Sequence, residues 1–190
     1  MLCRLLLRLR FEITCIGLDN LPKTGSVILC SNHRRVTDPP ILACCLHRPV
    51  FYMAKSELFT DHGKLAAFFL RRFGAFPVKR DSADSASVKN AVSLLNEGQV
   101  VGIFPQGGCV PGNEPFRAKA GVAMLAQKTD APILPVWIDY QEQKGKRCHV
   151  EIRFGTLIPN SRLPFHTGTR RDIREATAFL NAQMNALGGK

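Results

Sequence analysis

The sequence predicts an α/β fold, a single domain with a largely parallel central sheet flanked by helices. Three observations carry that prediction. Apolar runs of strand length recur along the chain, stretches with apolar residues at helical spacing separate them, and Gly- or Pro-bearing turns punctuate the alternation. At 190 residues the chain is long enough for one domain with a proper core and short for two. Hydrophobic residues at 45% and charged residues at 22% are ordinary for a folded protein and argue against disorder.

Ser26 to Ser31 reads as a buried strand after a Pro-Lys-Thr-Gly turn. A short helix is expected from Pro39 to Leu46, with Pro39 suited to the first helical position. Val50 to Ala54 is a second strand, Lys64 to Arg72 a helix, and Gly74 to Val78 a strand or extended loop. From Ser85, Val88, Ala91, Val92 and Leu95 recur at helical spacing until Gly98 stops the run. Strands follow at Val100–Phe104, Ile133–Ile138 and His149–Phe154, with a helix over Ala118–Lys128. The last helix, within 168–187, places Ile173, Thr177, Leu180, Met184 and Leu187 on one face, with Thr169 as its candidate cap.

Lys and Arg outnumber Asp and Glu by 26 to 15, a net charge of +11. That excess favours a polyanionic partner, but the basic residues are dispersed and no nucleic-acid recognition motif is present. Seven scattered cysteines without a Cys-x-x-Cys pair read as reduced thiols in a cytoplasmic protein. Cys44-Cys45-Leu46-His47 has metal-like ligand types but no second half-site, so no metal is expected. No apolar stretch reaches the ~18 residues needed to span a bilayer. Residues 1–14 are a candidate amphipathic membrane-contacting segment: Leu2, Leu5, Leu6 and Leu9 share a helical face flanked by Arg4, Arg8 and Arg10. Packing of this helix on the domain's own core is the alternative.

The chemistry-bearing segment is Ser31 to Pro40, a polar cluster between a buried strand and a helix. Ligands of open α/β sheets bind at the carboxyl ends of strands, where this cluster falls. A histidine such as His33 can take a proton from a hydroxyl and return it. Asp38, five residues on, either orients the imidazole or caps the helix that follows. Cys30 and Cys109 lie near this cluster in the sequence order of motifs, yet nothing in the sequence pairs either with a base.

Four ordered segments together resemble the glycerophospholipid acyltransferase family, best known for acylating 1-acylglycerol-3-phosphate. They are Asn32-His33-x4-Asp38, Gly74-Ala-Phe-Pro-Val-Lys79-Arg80, Ile103-Phe104-Pro105-Gln106-Gly107-Gly108 and Ala131-Pro-Ile-Leu-Pro-Val136. The resemblance spans residues 17 to 158. It implies that His33 is the general base and Asp38 its orienting partner. It further implies that the acceptor hydroxyl attacks an acyl thioester carried by coenzyme A or acyl carrier protein. That thioester is a co-substrate, and no cofactor is implied. Asn32, Lys79, Arg80, Phe104, Pro105, Gln106, Gly107 and Lys119 would line the acceptor's site, with Arg80 holding a phosphate. Pro132 and Pro135 would shape the pocket.

The third segment departs from the family. Its usual glutamate is Gln106, and the threonine and arginine that follow the glycine are here Gly108 and Cys109. The expected function is acyl transfer to a lysophospholipid, 1-acyl-sn-glycerol-3-phosphate first, at the cytoplasmic face of an anionic membrane. The alternatives are a different lipid-alcohol acceptor, or an inactive protein that binds lipid or acyl carrier.

Overall fold

A computed structural model describes residues 7 and 9–189, apart from 62, 73, 79–84, 113, 143–146 and 167. Its frame is a seven-stranded sheet. The strands are β1 (Phe11–Ile16), β2 (Val27–Ser31), β3 (Val50–Lys55), β4 (Ala75–Val78), β5 (Val100–Ile103), β6 (Ile133–Gln141) and β7 (Cys148–Phe154). Their order across the sheet is β1-β7-β6-β2-β5-β3-β4. Strands β2 to β6 run parallel to one another. Among these strands the β6–β7 pairing alone is antiparallel, and β1 runs parallel to β7.

Central strands of a parallel sheet are covered on both faces and so read as unbroken apolar runs. Every residue of β2 and of β5 is buried accordingly. Alternate side chains supply two cores. Ile28, Cys30, Val101, Ile103, Ile133 and Trp137 face one side, and Val27, Leu29, Val100, Leu134, Val136 and Ile138 face the other. The helices are α1 (Asp38–Cys45), α2 (Glu57–Thr60), α3 (Gly63–Arg72), α4 (Ser85–Asn96), α5 (Gly121–Thr129) and α6 (Arg170–Leu187). The first core is closed by α4 through Ala91 and Leu95, α5 through Val122 and Ala126, and α6 through Leu180 and Met184. The second is closed by Ile41 and Leu42 of α1. On α6 the face is centred on Asp172, Ala176, Leu180 and Met184, so Ala176 rather than Thr177 meets the core. Thr169 is the residue before that helix but makes no side-chain cap bond. Instead the Asp172 carboxylate reaches back to accept the Gly168 N–H at 2.8 Å.

The amino-terminal reading requires correction. Phe11 to Ile16, partly assigned to an amphipathic segment, is an edge strand. Phe11 is buried and Ile13 and Cys15 are half-buried, while Glu12, Thr14 and Ile16 face solvent, a period of two that the preceding leucine–arginine run concealed. Leu2, Leu5, Leu6, Arg4 and Arg8 lie outside the described residues. Among those described no helix is long and apolar enough to cross a membrane.

Two glycines are required by close approach. At Gly74 the backbone has φ 76°, and a Cβ would be driven into the Val50 carbonyl oxygen. Gly102 of β5 lies under the Tyr52 ring, whose edge occupies the space a Cβ would need. Replacing Gly74 with Ala therefore imposes both a left-handed backbone and a clash at the entry to β4. The expected loss is about 1–3 kcal/mol of unfolding free energy, read by chemical denaturation.

Candidate active site

Strands β2, β5 and β6 are neighbours and parallel, so their carboxyl ends open on the same edge of the sheet. Beyond β2 comes Asn32-His33-Arg34-Arg35, beyond β5 comes Phe104 to Gly108, and the end of β6 contributes Asp139 and Tyr140.

Asn32 fastens the first loop. Its amide donates to the Ile138 carbonyl at 2.9 Å and accepts the Ile138 N–H at 2.7 Å, extending the β2–β6 ladder by a side chain. Both polar groups of Asn32 are engaged in the fold, and the residue is buried. The next residue, His33, is thereby held at the sheet edge. Its imidazole stacks on Phe104 with centroids 4.4 Å apart, and Phe104 stacks in turn on Tyr52 at 5.9 Å. Gly102 makes room for the base of that column.

His33 Nδ1 lies 2.8 Å from Asp38 Oδ2. That oxygen also accepts the backbone N–H groups of Arg34 at 2.7 Å and Arg35 at 2.9 Å, while Oδ1 accepts the Tyr140 hydroxyl at 2.5 Å. Asp38 turns back toward its own loop, and no side-chain cap bond is made at the start of α1. The helix-cap alternative is thus set aside. A carboxylate so placed accepts the Nδ1 proton, which leaves Nε2 as the basic nitrogen. Tyr140 was not anticipated. Burial first, and then the neighbouring Asp38 charge, push its phenol pKa up, so it remains a donor. In the sequence it is one more aromatic at the end of an apolar run, and only the sheet brings it to Asp38 across 102 residues.

The third segment wraps the other side. Gln106 Oε1 accepts the His33 N–H at 2.9 Å. This duty requires an acceptor and no charge, so an amide serves where the family has a carboxylate. Pro105 is buried, and its carbonyl accepts the Lys119 N–H at 2.9 Å. Gly107 has φ 85°, and a Cβ there would meet the Lys119 ammonium at 3.0 Å. Lys119 thus brings a cation beside the site. The Val110 N–H donates to the His33 carbonyl at 2.7 Å, and Arg34 donates to the carbonyls of Pro111 and Gly112 at 3.2 and 3.1 Å. These bonds draw Cys109 in, and its Sγ lies 3.5 Å from His33 Nε2. Cys30, by contrast, is fully buried, and burial pushes its thiol up to about 12.

A cavity of about 160 Å³ adjoins these residues, lined by Met53, Val88, Ile103, Phe104, Gly107 and Leu125 among others. Its wall is almost wholly apolar. Lys79 and Arg80, expected to hold phosphate, lie outside the described residues. Pro132 and Pro135 are placed elsewhere than expected. Pro132 precedes β6 at the opposite end of the sheet, where its carbonyl accepts the Ile28 N–H, and Pro135 is buried within the strand opposite Cys30.

A model of the acyltransferase family matches residues 12–139. The chain belongs to the acyltransferase family. It is 35% identical over 192 residues to a 1-acyl-sn-glycerol-3-phosphate acyltransferase of Bacillus subtilis, covering 98% of this chain and 94% of that protein. A Borreliella burgdorferi protein of the same name is 32% identical over 127 residues, covering 66% of this chain and 50% of its own. Among solved structures, the fold resembles that of the 1-acyl-sn-glycerophosphate acyltransferase PlsC from Thermotoga maritima. That match has a TM-score of 0.71 and 19% identity, and covers 94% of this chain and 71% of that one. The acyltransferase described here is thus an O-acyltransferase by family, with the family's His-x4-Asp pair assembled in its structure.

Removing the Tyr140 hydroxyl deprives a buried carboxylate of one of its donors. A hydrogen bond to a charged group contributes about 1.5–3 kcal/mol to stability, so Tyr140→Phe is expected to lower the unfolding free energy by about that much. Chemical denaturation of the two proteins checks this.

Proposed function

We propose that this acyltransferase moves a fatty acyl group from an acyl thioester, carried by coenzyme A or acyl carrier protein, to the free hydroxyl of 1-acyl-sn-glycerol-3-phosphate. The product is phosphatidic acid. The observation that carries the reading is the His33–Asp38 contact at 2.8 Å, with the carboxylate fully buried and the imidazole stacked on Phe104, which lines an apolar cavity. His33 Nε2 removes the acceptor's hydroxyl proton as its oxygen attacks the thioester carbonyl. Asp38 stabilises the imidazolium that forms, and the departing thiolate takes the proton. The apolar cavity suits an acyl chain, whose burial is favourable at about 0.8 kcal/mol per CH2. Lys119 gives an anionic acceptor a cation, and Arg80 and Lys79 are assigned the phosphate on the family resemblance. No cofactor enters the scheme. The names of the relatives support the acceptor. The net charge of +11 favours an acidic carrier or coenzyme A as donor.

Docking to the cytoplasmic face of an anionic membrane belongs to the same proposal. Leu65 and Phe68 are 71% and 61% exposed on α3, a helix that also carries Lys64, Arg71 and Arg72. Apolar side chains beside basic ones suit the headgroup zone of an anionic bilayer.

Two experiments test the reading. Purified protein with anionic vesicles, either thioester donor and a panel of lysophospholipids and neutral lipid alcohols is expected to yield phosphatidic acid by mass spectrometry. The His33→Ala variant should be slower by roughly 10²–10⁴. Product from a neutral alcohol alone would replace the acceptor, and undiminished product from His33→Ala would sink the mechanism. In a sedimentation assay, Leu65→Ser with Phe68→Ser should release the protein from the same vesicles without lowering its Tm. Unchanged vesicle binding would remove α3 from the docking surface.

A further inference from the structure

The basic nitrogen of the site already has a partner. His33 Nε2 lies 3.5 Å from Cys109 Sγ, a sulfur–nitrogen hydrogen-bond distance, and on its other side the same ring meets Asp38. Thiol, imidazole and buried carboxylate stand in the order of a nucleophile, its base and the group that orients the base. The placement is built by the fold. The Val110 N–H to the His33 carbonyl and the Arg34 bonds to Pro111 and Gly112 tie the loop on the carboxyl side of the thiol to the histidine's own loop. Cys109 is exposed, so a donor can reach the sulfur from solvent.

We propose that Cys109 is a second nucleophile of this site and carries the acyl group as a thioester between donor and acceptor, an inference that rests on the acyl-transfer reading above. In the first step the Cys109 S–H proton passes to His33 Nε2, and the thiolate attacks the carbonyl carbon of the donor thioester. The new C–S bond forms as the donor's C–S bond breaks. The departing thiolate of the carrier takes the proton from His33 and leaves as a free thiol. One thioester is exchanged for another, so no further reactant is required. In the second step His33 takes the proton of the acceptor hydroxyl, whose oxygen attacks the Cys109 thioester. Cys109 departs as a thiolate and regains the proton from the imidazolium. One Nε2 cannot serve thiol and hydroxyl together, and the two-step route uses it for each in turn. Direct transfer would require the acceptor to displace the thiol from the base first.

Intact-protein mass spectrometry with a short-chain acyl-coenzyme A, first without acceptor, is the test. The expected result is a single acyl adduct, mapped to Cys109 after digestion and absent from His33→Ala. Added 1-acyl-sn-glycerol-3-phosphate should discharge it to diacyl product at a rate no slower than turnover. Cys109→Ala and Cys109→Ser should each lose turnover by at least about a hundredfold with unchanged Tm, the serine testing whether a hydroxyl at that place suffices. If Cys109→Ala turns over within a few-fold of wild type, or the adduct forms and is never discharged, the covalent route is overturned while acyl transfer stands. If wild type forms no diacyl product from any acceptor, the acyl-transfer reading fails and this inference with it.

Discussion

Asp38 is withdrawn completely from water, and an unpaired carboxylate in such a place would cost several kcal/mol or take up a proton. Four donors offset that cost: two backbone N–H groups, a phenol and an imidazole. Each comes from a segment that must be in place for the others to be. The N–H groups of Arg34 and Arg35 fix the turn after β2, Tyr140 fixes the end of β6, and His33 is the group the proposed chemistry uses. Because the carboxylate cannot be left half-satisfied, the imidazole is held in one tautomer without a separate device for doing so. The same demand makes the loop between β2 and α1 rigid where a chain of polar residues would otherwise be mobile.

The sheet supplies what the carboxylate cannot. Three adjacent parallel strands deliver their carboxyl ends to one edge, and each end contributes a different function: base, wall, and donor to the carboxylate. Asn32 stitches the first of these ends to the third by pairing with the backbone of Ile138. A side chain that copies a ladder bond extends the sheet's order into the loop, so that His33 begins from a fixed point. Phe104 then limits the ring's tilt by stacking. The base is therefore positioned by backbone, by an aromatic face and by a charge, from three strands.

Period and run length made most elements legible in the sequence, because buried parallel strands and amphipathic helices leave strong local patterns. The strands at Val27–Ser31, Val100–Ile103 and Ile133–Gln141 and the helix over Ser85–Asn96 are of this kind. The edge strand Phe11–Ile16 was not legible. It follows a stretch of leucines and arginines whose helical spacing overrides a weak alternation of period two, and its partner is 137 residues away. The site divides likewise. His33 and Asp38 sit five residues apart, so a local motif reveals them. Tyr140 and Cys109 reach them only through strand pairing and loop-to-loop hydrogen bonds, which no local spacing encodes. The prolines of the fourth segment show the converse: a motif can mark the family through its role in the sheet, with no place beside the chemistry.

The altered third segment follows from which bonds the site needs. Gln106 keeps the one contact the geometry asks of that position, acceptance of the His33 N–H, and gives up a negative charge beside a lysine. Among the described residues the Lys119 ammonium, lying against Gly107, is in no ion pair, and without a carboxylate at position 106 it is the better placed to receive an anion. The change three residues on, at Cys109, alters what the imidazole faces. An arginine at position 109 would present a permanent cation toward Nε2 and disfavour the imidazolium, whereas a thiol is neutral and can give up its proton to the same nitrogen. Both substitutions leave the His33–Asp38 pair untouched. Together they leave a neutral thiol facing the imidazole and the Lys119 cation on the flank of the site.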